Sequence, residues 1–343
     1  MSCFSPNQVF WSLKPDGKKL ISFSKLNNLR FKHGDSIPQT IDSSTGEITN
    51  FRLPCSNCMA CRIDRSQQAA IRMVHEAQMY SENSFITLTY SPEFVPKDGS
   101  LSKKEFQLFM KRLRSNCSRG YKLSDGSFWS RKDIRFYACG EYGEKLGRPH
   151  FHAALFNLDF PDKKFWKVHN GYKYFVSEIL QKAWSDPDTG KPYGFVTVGE
   201  LTYESAAYIA RYVTKKINGD MANSHYARYD SNGELYFLTP EFQLSSNRPG
   251  IGKPWFDKFG MTDVYPHDNV VAQDRRLIRP PKYYDKLLER IDPDMLLSLK
   301  RKRVEVASSK EEQLTYKRLQ AIQKCRERSF QRLVRKMESE AFA

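Results

Sequence analysis

Arg148-Pro149-His150-Phe151-His152-Ala153-Ala154-Leu155-Phe156 is the stretch on which the reading of this chain turns. Residues i and i+2 of a strand share a face, so His150 and His152 project together while Phe151, Ala153 and Leu155 project the other way, into a core. Upstream, residues 134–138 read as another strand that ends in Cys139-Gly140-Glu141-Tyr142-Gly143. A hairpin-like turn returns the chain to His150, so the neighbouring strand delivers Glu141 to the two imidazoles. Two histidines and one carboxylate with open positions suit a Mg2+ or Mn2+ that must also hold a phosphate. Glu144 is the rival carboxylate, placed in the turn. A bare His-x-His also describes an ordinary strand with two exposed histidines; the nearby carboxylate is what favours a chelate.

Working outward, Phe85-Ile86-Thr87-Leu88-Thr89-Tyr90 alternates β-branched and aromatic residues and reads as a strand. Residues 62–80 have helical periodicity with no Gly or Pro. Ser102-Lys103-Lys104-Glu105 has capping-box spacing ahead of a helix whose apolar face is Phe106, Phe109, Met110 and Leu113. Residues 161–193 are mixed, Phe195-Val196-Thr197-Val198 is a further strand, and residues 205–217 are a helix. Two Asn-Gly dipeptides mark residues 218–235 as loop or hairpin. Strands alternate irregularly with a few helices, so a mixed α+β domain with a largely antiparallel central sheet flanked by helices fits better than strict βαβ winding. The expected organisation is a Cys-rich N-terminal region (1–75), a central domain (76–260) and a basic, helix-prone C-terminal tail (261–343).

The helix at 205–217 carries the second chemical signal, Tyr208-Ile209-Ala210-Arg211-Tyr212-Val213-Thr214-Lys215-Lys216. At about 100° per residue, Tyr208, Arg211, Tyr212 and Lys215 share one stripe, and Ala206, Ile209, Ala210, Val213 and Ile217 the opposite, core-facing one. The tyrosines thus stand among cations on the polar side, where the core does not need them. Alone, they could be stacked surface aromatics. A phenol with its pKa near 10 is a poor nucleophile at neutral pH, but a neighbouring cation and a polarised phosphate lower the barrier in complementary ways.

The bulk properties agree. The 343 residues hold 55 Lys and Arg against 39 Asp and Glu, a net charge of +16, which favours a polyanionic partner through counterion release. Hydrophobic residues at 40% suffice for a sizeable core, and no run approaches the roughly 18 uninterrupted apolar residues of a membrane helix. The opening Met1-Ser2-Cys3-Phe4-Ser5-Pro6 lacks a basic region followed by an apolar one, so export is not expected and the seven cysteines should stay reduced. Gly250-Ile251-Gly252-Lys253 is followed by Pro254 and is no P-loop, so no ATPase is expected.

In order and interval these elements resemble the HUH endonuclease superfamily of rolling-circle replication initiators. Residues 85–90 look like its first motif, His150-Phe151-His152 its second, and Tyr208-x-x-x-Tyr212-x-x-Lys215 its third, over residues 80–220. Pro54-Cys55-x-x-Cys58-x-x-Cys61-Arg62, Gly140-Glu141-Tyr142-Gly143, Arg148-Pro149-His150-Phe151-His152 and Arg248-Pro249-Gly250-Ile251-Gly252 narrow the likeness to the initiators of small single-stranded DNA phages, Microviridae of the gokushovirus type. The resemblance implies an HUH nuclease fold. It also implies a replication initiator that nicks one strand at the phage origin through a 5′-phosphotyrosyl intermediate, starts rolling-circle replication and recloses the product. Tyr208, Tyr212 and Lys215 would be catalytic, Glu141, His150 and His152 would hold Mg2+ or Mn2+, and Arg148, Arg211 and Lys216 would contact DNA. Single-stranded and origin DNA, a host helicase and a host DNA polymerase are the implied partners, with no membrane, and the host bacterial cytoplasm is the implied location. The alternatives are a non-catalytic nucleic-acid-binding protein and an HUH relaxase or transposase.

Cys55, Cys58 and Cys61 are spaced as metal ligands, and Cys3 is the plausible fourth member of a structural Zn2+ site. An iron–sulfur cluster lacks the usual fourth Cys-Pro, and three reduced thiols on a turn is the plain alternative. Lys300-Arg301-Lys302-Arg303 begins a charged stretch that reads either as a solvated helix or as a grip on the DNA backbone. His33, His75, His169, His225 and His267 show no ligand pattern and read as structural.

Overall fold

The alternating runs around residues 85–90, 134–142 and 150–156 become neighbouring strands of one antiparallel sheet in a computed structural model, which describes residues 3, 7–13, 19–23, 50–143, 146–169, 171–211, 221–230, 232–272, 275–308, 318 and 320–328. The chain divides into two compact units, Met1–Asp64 with Asp294–Phe342, and Arg65–Pro293. In the first unit β1 (Asn7–Leu13) pairs antiparallel with both β2 (Lys19–Phe23) and β3 (Asn50–Leu53). Helix α1 (Met59–Ala77) starts there and runs into the second unit.

The second unit continues with β4 (Asn83–Thr89), α2 (Lys103–Arg119), a short β5 (Tyr121–Lys122) and β6 (Phe128–Trp129), then β7 (Arg135–Tyr142) and β8 (Pro149–Phe156). Next come β9 (Lys164–His169), β10 (Tyr172–Val176), α3 (Glu178–Ala183), β11 (Val196–Gly199) and α4 (Tyr203–Arg211). A short α5 (Met221–Tyr226) leads into the hairpin β12 (Ala227–Tyr229) and β13 (Leu235–Phe237), then β14 (Phe242–Ser245) and α6 (Lys253–Phe259). A small pair, β15 (Val270–Val271) and β16 (Leu277–Ile278), precedes α7 (Lys282–Ile291), after which α8 (Pro293–Ser308) begins. The seven-stranded sheet runs β14-β7-β8-β4-β11-β10-β9, every pair antiparallel, so the fold is α+β as expected.

One face of the sheet carries Ile86, Leu88, Phe151, Ala153, Leu155 and Val198, packed on Phe106, Phe109, Met110 and Leu113 of α2. The capping box ahead of α2 is realised: Ser102 Oγ accepts from the Glu105 N–H at 3.2 Å. The opposite face meets α4, whose Ala206, Ile209 and Ala210 are fully buried and which packs on β7 and β8. Being covered on both faces, β8 ends in the apolar run Ala153-Ala154-Leu155-Phe156 and not in alternation.

The segment Arg248-Pro249-Gly250-Ile251-Gly252 ties α1 to the last helices of this unit. Glu76 of α1 is fully buried, which an unpaired carboxylate would not tolerate. It accepts from Arg135 Nε at 2.5 Å and from the Gly252 N–H at 2.6 Å. Gly252 has φ +83°, and a Cβ there would fall 2.6 Å from Tyr284 Oη, so only glycine fits. Beside it the His75 ring stacks on Trp255 at 3.6 Å, with Nδ1 2.9 Å from Tyr284 Oη.

Burial lowers the His75 pKa from its ordinary 6.5 to about 3. The unfolded chain therefore binds more protons across that window, so stability supplied by neutral His75 is complete above about pH 6.5 and lost as pH falls towards 3. Between pH 7 and about pH 4 the loss from this group is on the order of 3 kcal/mol. Urea midpoints at the two pH values should fall further in the wild type than in His75→Asn. Equal falls would remove His75 from the acid sensitivity of the fold.

Candidate active site

Strand register builds the site. Glu141 of β7 lies opposite His150 of β8, which lies opposite Thr89 of β4, and in the adjacent row Cys139, His152 and Thr87 are partners. Cross-strand partners share a face, so Glu141, His150 and His152 converge on the side covered by α4. One ligand atom from each lies within 4.8 Å of the others. Glu141 Oε1 is 2.5 Å from His150 Nε2 and 3.1 Å from His152 Nε2. Glu141 is 3% and His152 6% exposed, so the pair of exposed histidines allowed by the sequence is not what forms.

The outer nitrogens decide what the inner ones can do. His150 Nδ1 is 3.2 Å from the Arg148 carbonyl, which can only accept, so that nitrogen donates. His152 Nδ1 is 2.9 Å from Thr87 Oγ1. A neutral His150 then turns an Nε2 lone pair towards a carboxylate oxygen, and a cation between them resolves the repulsion. Glu141 Oε2 is buried with no hydrogen-bond partner, the mark of a ligand oxygen awaiting a positive charge. Burial pushes the Glu141 carboxyl up, yet His150 and His152 outweigh it and hold the group below the ordinary carboxylate value. The donor set therefore fits a metal ion.

The flanking residues set this geometry. Gly140 points away from the site, and a Cβ on it would fall 2.9 Å from the Phe242 ring, so glycine lets β14 close on β7. Tyr142 Oη accepts from the Leu101 N–H at 3.0 Å and donates to the Thr239 carbonyl at 2.7 Å, anchoring the strand end. The Gly143 N–H donates to the Arg148 carbonyl at 2.9 Å, which closes the hairpin and places Arg148, itself exposed, at its rim.

On α4 the Thr202 and Ser205 side chains cap each other's N–H groups at 3.2 and 2.8 Å, starting the helix beside β8. That start brings the Tyr208 ring edge-on to His152, with centroids 5.1 Å apart. Arg211 ends the described part of the helix and is half-buried. Tyr212, Lys215, Lys216 and the rival carboxylate Glu144 lie outside the described residues. Two members of the site were not singled out from the sequence. Thr87 orients His152, and Phe85 stacks on the same ring at 5.6 Å. The strand alternation of residues 85–89 puts both on the histidine face and could have named them.

The four cysteines at 3, 55, 58 and 61 also converge, with all Sγ atoms within 4.8 Å of one another. Cys58 Sγ lies 3.8 Å from Cys3 Sγ, the Cys55 N–H donates to Cys3 Sγ and the Cys58 N–H to Cys55 Sγ, each at 3.2 Å. All four are free thiols. Burial, with the adjoining Cys3 and Cys58, pushes the Cys61 thiol up. Four crowded sulfurs form a tetrahedral donor set compatible with a metal.

The family model of the replication-associated protein ORF2 matches residues 83–217, which span the three-residue site and the tyrosine helix. Over 275 residues the chain is 30% identical to the replication-associated protein VP4 of Bdellovibrio phage phiMH2K, covering 78% of this chain and 79% of the relative. The chain belongs to the family of phage replication-associated proteins. A second member, ORF2 of Spiroplasma virus 4, is 30% identical over 318 residues, covering 90% of this chain and 87% of its own length. The replication-associated protein ORF4 of Chlamydia phage 1 is 33% identical over 172 residues, 49% of this chain and 39% of that relative. No solved structure gives a significant match. Among the described residues of this family member, no helix is long and apolar enough to cross a membrane.

Proposed function

We propose that this replication-associated protein is the initiator of rolling-circle replication, a site-specific nickase and strand transferase of the HUH type acting at the phage origin in the host bacterial cytoplasm. The observation that carries this reading is the Tyr208 ring set against His152, one member of a carboxylate–bis-imidazole cluster. Tyr208 or Tyr212 attacks the scissile phosphorus. The tyrosyl oxygen–phosphorus bond forms as the bond to the 3′ oxygen breaks, the phenolic proton is lost, and the 3′ oxygen leaves as a hydroxyl. One phosphodiester replaces another, so the linkage is conserved and a later attack by a 3′-OH can reseal it. Glu141, His150 and His152 hold Mg2+ or Mn2+, which polarises the phosphate and offsets developing charge. Lys215 assists at the attacking or leaving oxygen, while Arg148, Arg211 and Lys216 contact the DNA backbone. The second tyrosine, one helical turn away, cleaves the regenerated origin while the first remains loaded. A host helicase separates the strands, and a host polymerase extends the released 3′-OH.

The test is a Mg2+- or Mn2+-dependent nick in supercoiled origin DNA with protein attached to the new 5′ end. A protein that binds this DNA but leaves it uncut would instead be a non-catalytic binder.

The Cys3, Cys55, Cys58 and Cys61 cluster holds a structural Zn2+ on this reading. Purified protein should contain about one zinc per chain, and Cys58→Ser should lose it together with a large part of its thermal stability. Wild-type protein without zinc would end the assignment.

A further inference from the structure

The cross-strand row that carries Glu141, His150 and Thr89 extends one strand further. The Thr89 N–H and Oγ1–H both donate to the Phe195 carbonyl, at 3.0 and 2.7 Å. The Ser91 N–H donates to the Tyr193 carbonyl at 2.8 Å. So close an approach requires Gly194, because a Cβ there would fall 2.2 Å from the Thr89 carbonyl oxygen and 2.6 Å from the Ser91 nitrogen. Phe195 is thereby fixed beside Thr89, two strand spacings or roughly 10 Å from His150.

Trp166 meets it there. In β10 Phe175 pairs with Val198, a core residue, and Phe165 of β9 pairs with Phe175. Trp166, next in sequence, turns to the other face, and its ring contacts Phe195 edge to face with centroids 4.7 Å apart. Lys167 Nζ stands 4.7 Å from the centre of the Trp166 ring. Trp166 is 44% and Phe195 45% exposed. Large rings that touch each other and remain open to solvent do little for the core. Beside a lysine, in a chain of net charge +16, they form an aromatic and cationic surface complementary to unpaired bases and phosphates.

We propose that Phe195 and Trp166 form a stacking platform for unpaired bases of single-stranded DNA, with Lys167 on its backbone. The platform holds the strand across the sheet on its way to the Glu141, His150 and His152 cluster. This rests on the nickase reading for the identity of the strand, and its test needs no cleavage. With EDTA present, binding of the full chain to a fluorescein-labelled oligothymidine and to a labelled duplex is followed by anisotropy. The double variant Trp166→Ala/Phe195→Ala is expected to bind the single strand at least about tenfold more weakly and the duplex as before, since paired bases are already stacked. Trp166→Phe should retain the single-strand affinity but lose the part of the tryptophan quenching that oligothymidine causes in the wild type. This readout comes from a protein with its platform intact and holds even if the double variant folds poorly. Unchanged single-strand affinity, an equal loss on duplex, or a wild type that does not bind oligothymidine overturns the platform. A chain that binds through these rings but forms no covalent adduct overturns the nickase alone. Normal nicking with an unaffected double variant overturns the platform alone.

Discussion

Replacing Tyr208 and Tyr212 together by phenylalanine is expected to abolish the covalent protein–DNA adduct, while either single replacement leaves nicking measurable. The change removes one oxygen per ring and keeps the aromatic body, so the edge-on contact of residue 208 with His152 and the packing of α4 through Ala206, Ile209 and Ala210 are retained. What is lost is the nucleophile, for which a fall of at least about 10⁴-fold in rate is the expected scale. Denaturing gels with 5′-labelled product read the adduct directly. Adduct persisting in the double variant would mean that another side chain attacks, and the assignment of the tyrosine helix would fall.

Glu141→Gln should have the other large effect. The amide is nearly isosteric but brings no charge to the two imidazoles, so metal affinity drops and nicking slows by roughly 10³-fold at fixed low Mg2+. The same variant separates catalysis from folding. Wild-type Glu141 has a buried oxygen with no protein partner, so the neutral side chain should not weaken the metal-free fold. Adding Mn2+ should raise the melting temperature of the wild type, by mass action on a site present only in the native state, and leave the variant unmoved. Wild-type nicking by Glu141→Gln at equal Mg2+ would remove this carboxylate from the site.

Much of this architecture was legible because local signals and tertiary context agree. The histidines at i and i+2, the helix stripe opposite Tyr208 and the Ser102 cap each need only a few residues to be read, and each is found as read. The β9–β10 hairpin was less legible. All but the last residue of β9 are exposed, so Lys164-Phe165-Trp166-Lys167 has no buried face to imprint a period of two. Residues 218–235 signalled only loop or hairpin, yet the described part opens with α5 before the expected hairpin. Neither the Arg248–Pro254 motif nor Glu76 disclosed its role, because their partners lie more than 170 positions apart. The convergence of Cys3 with Cys55, Cys58 and Cys61 was inferred from chemistry alone, since no local pattern spans such a gap.

The clasp between α1 and α7 bears on how this chain is made. His75 and Tyr284 are 209 positions apart, and Tyr284 is fully buried where it meets His75 and Gly252. A nascent chain therefore cannot complete the 65–293 unit until its final helix has left the ribosome. Any message truncated before that helix yields a polypeptide in which the second turn from the end of α1 keeps its acidic and imidazole groups without the lid they were built to meet.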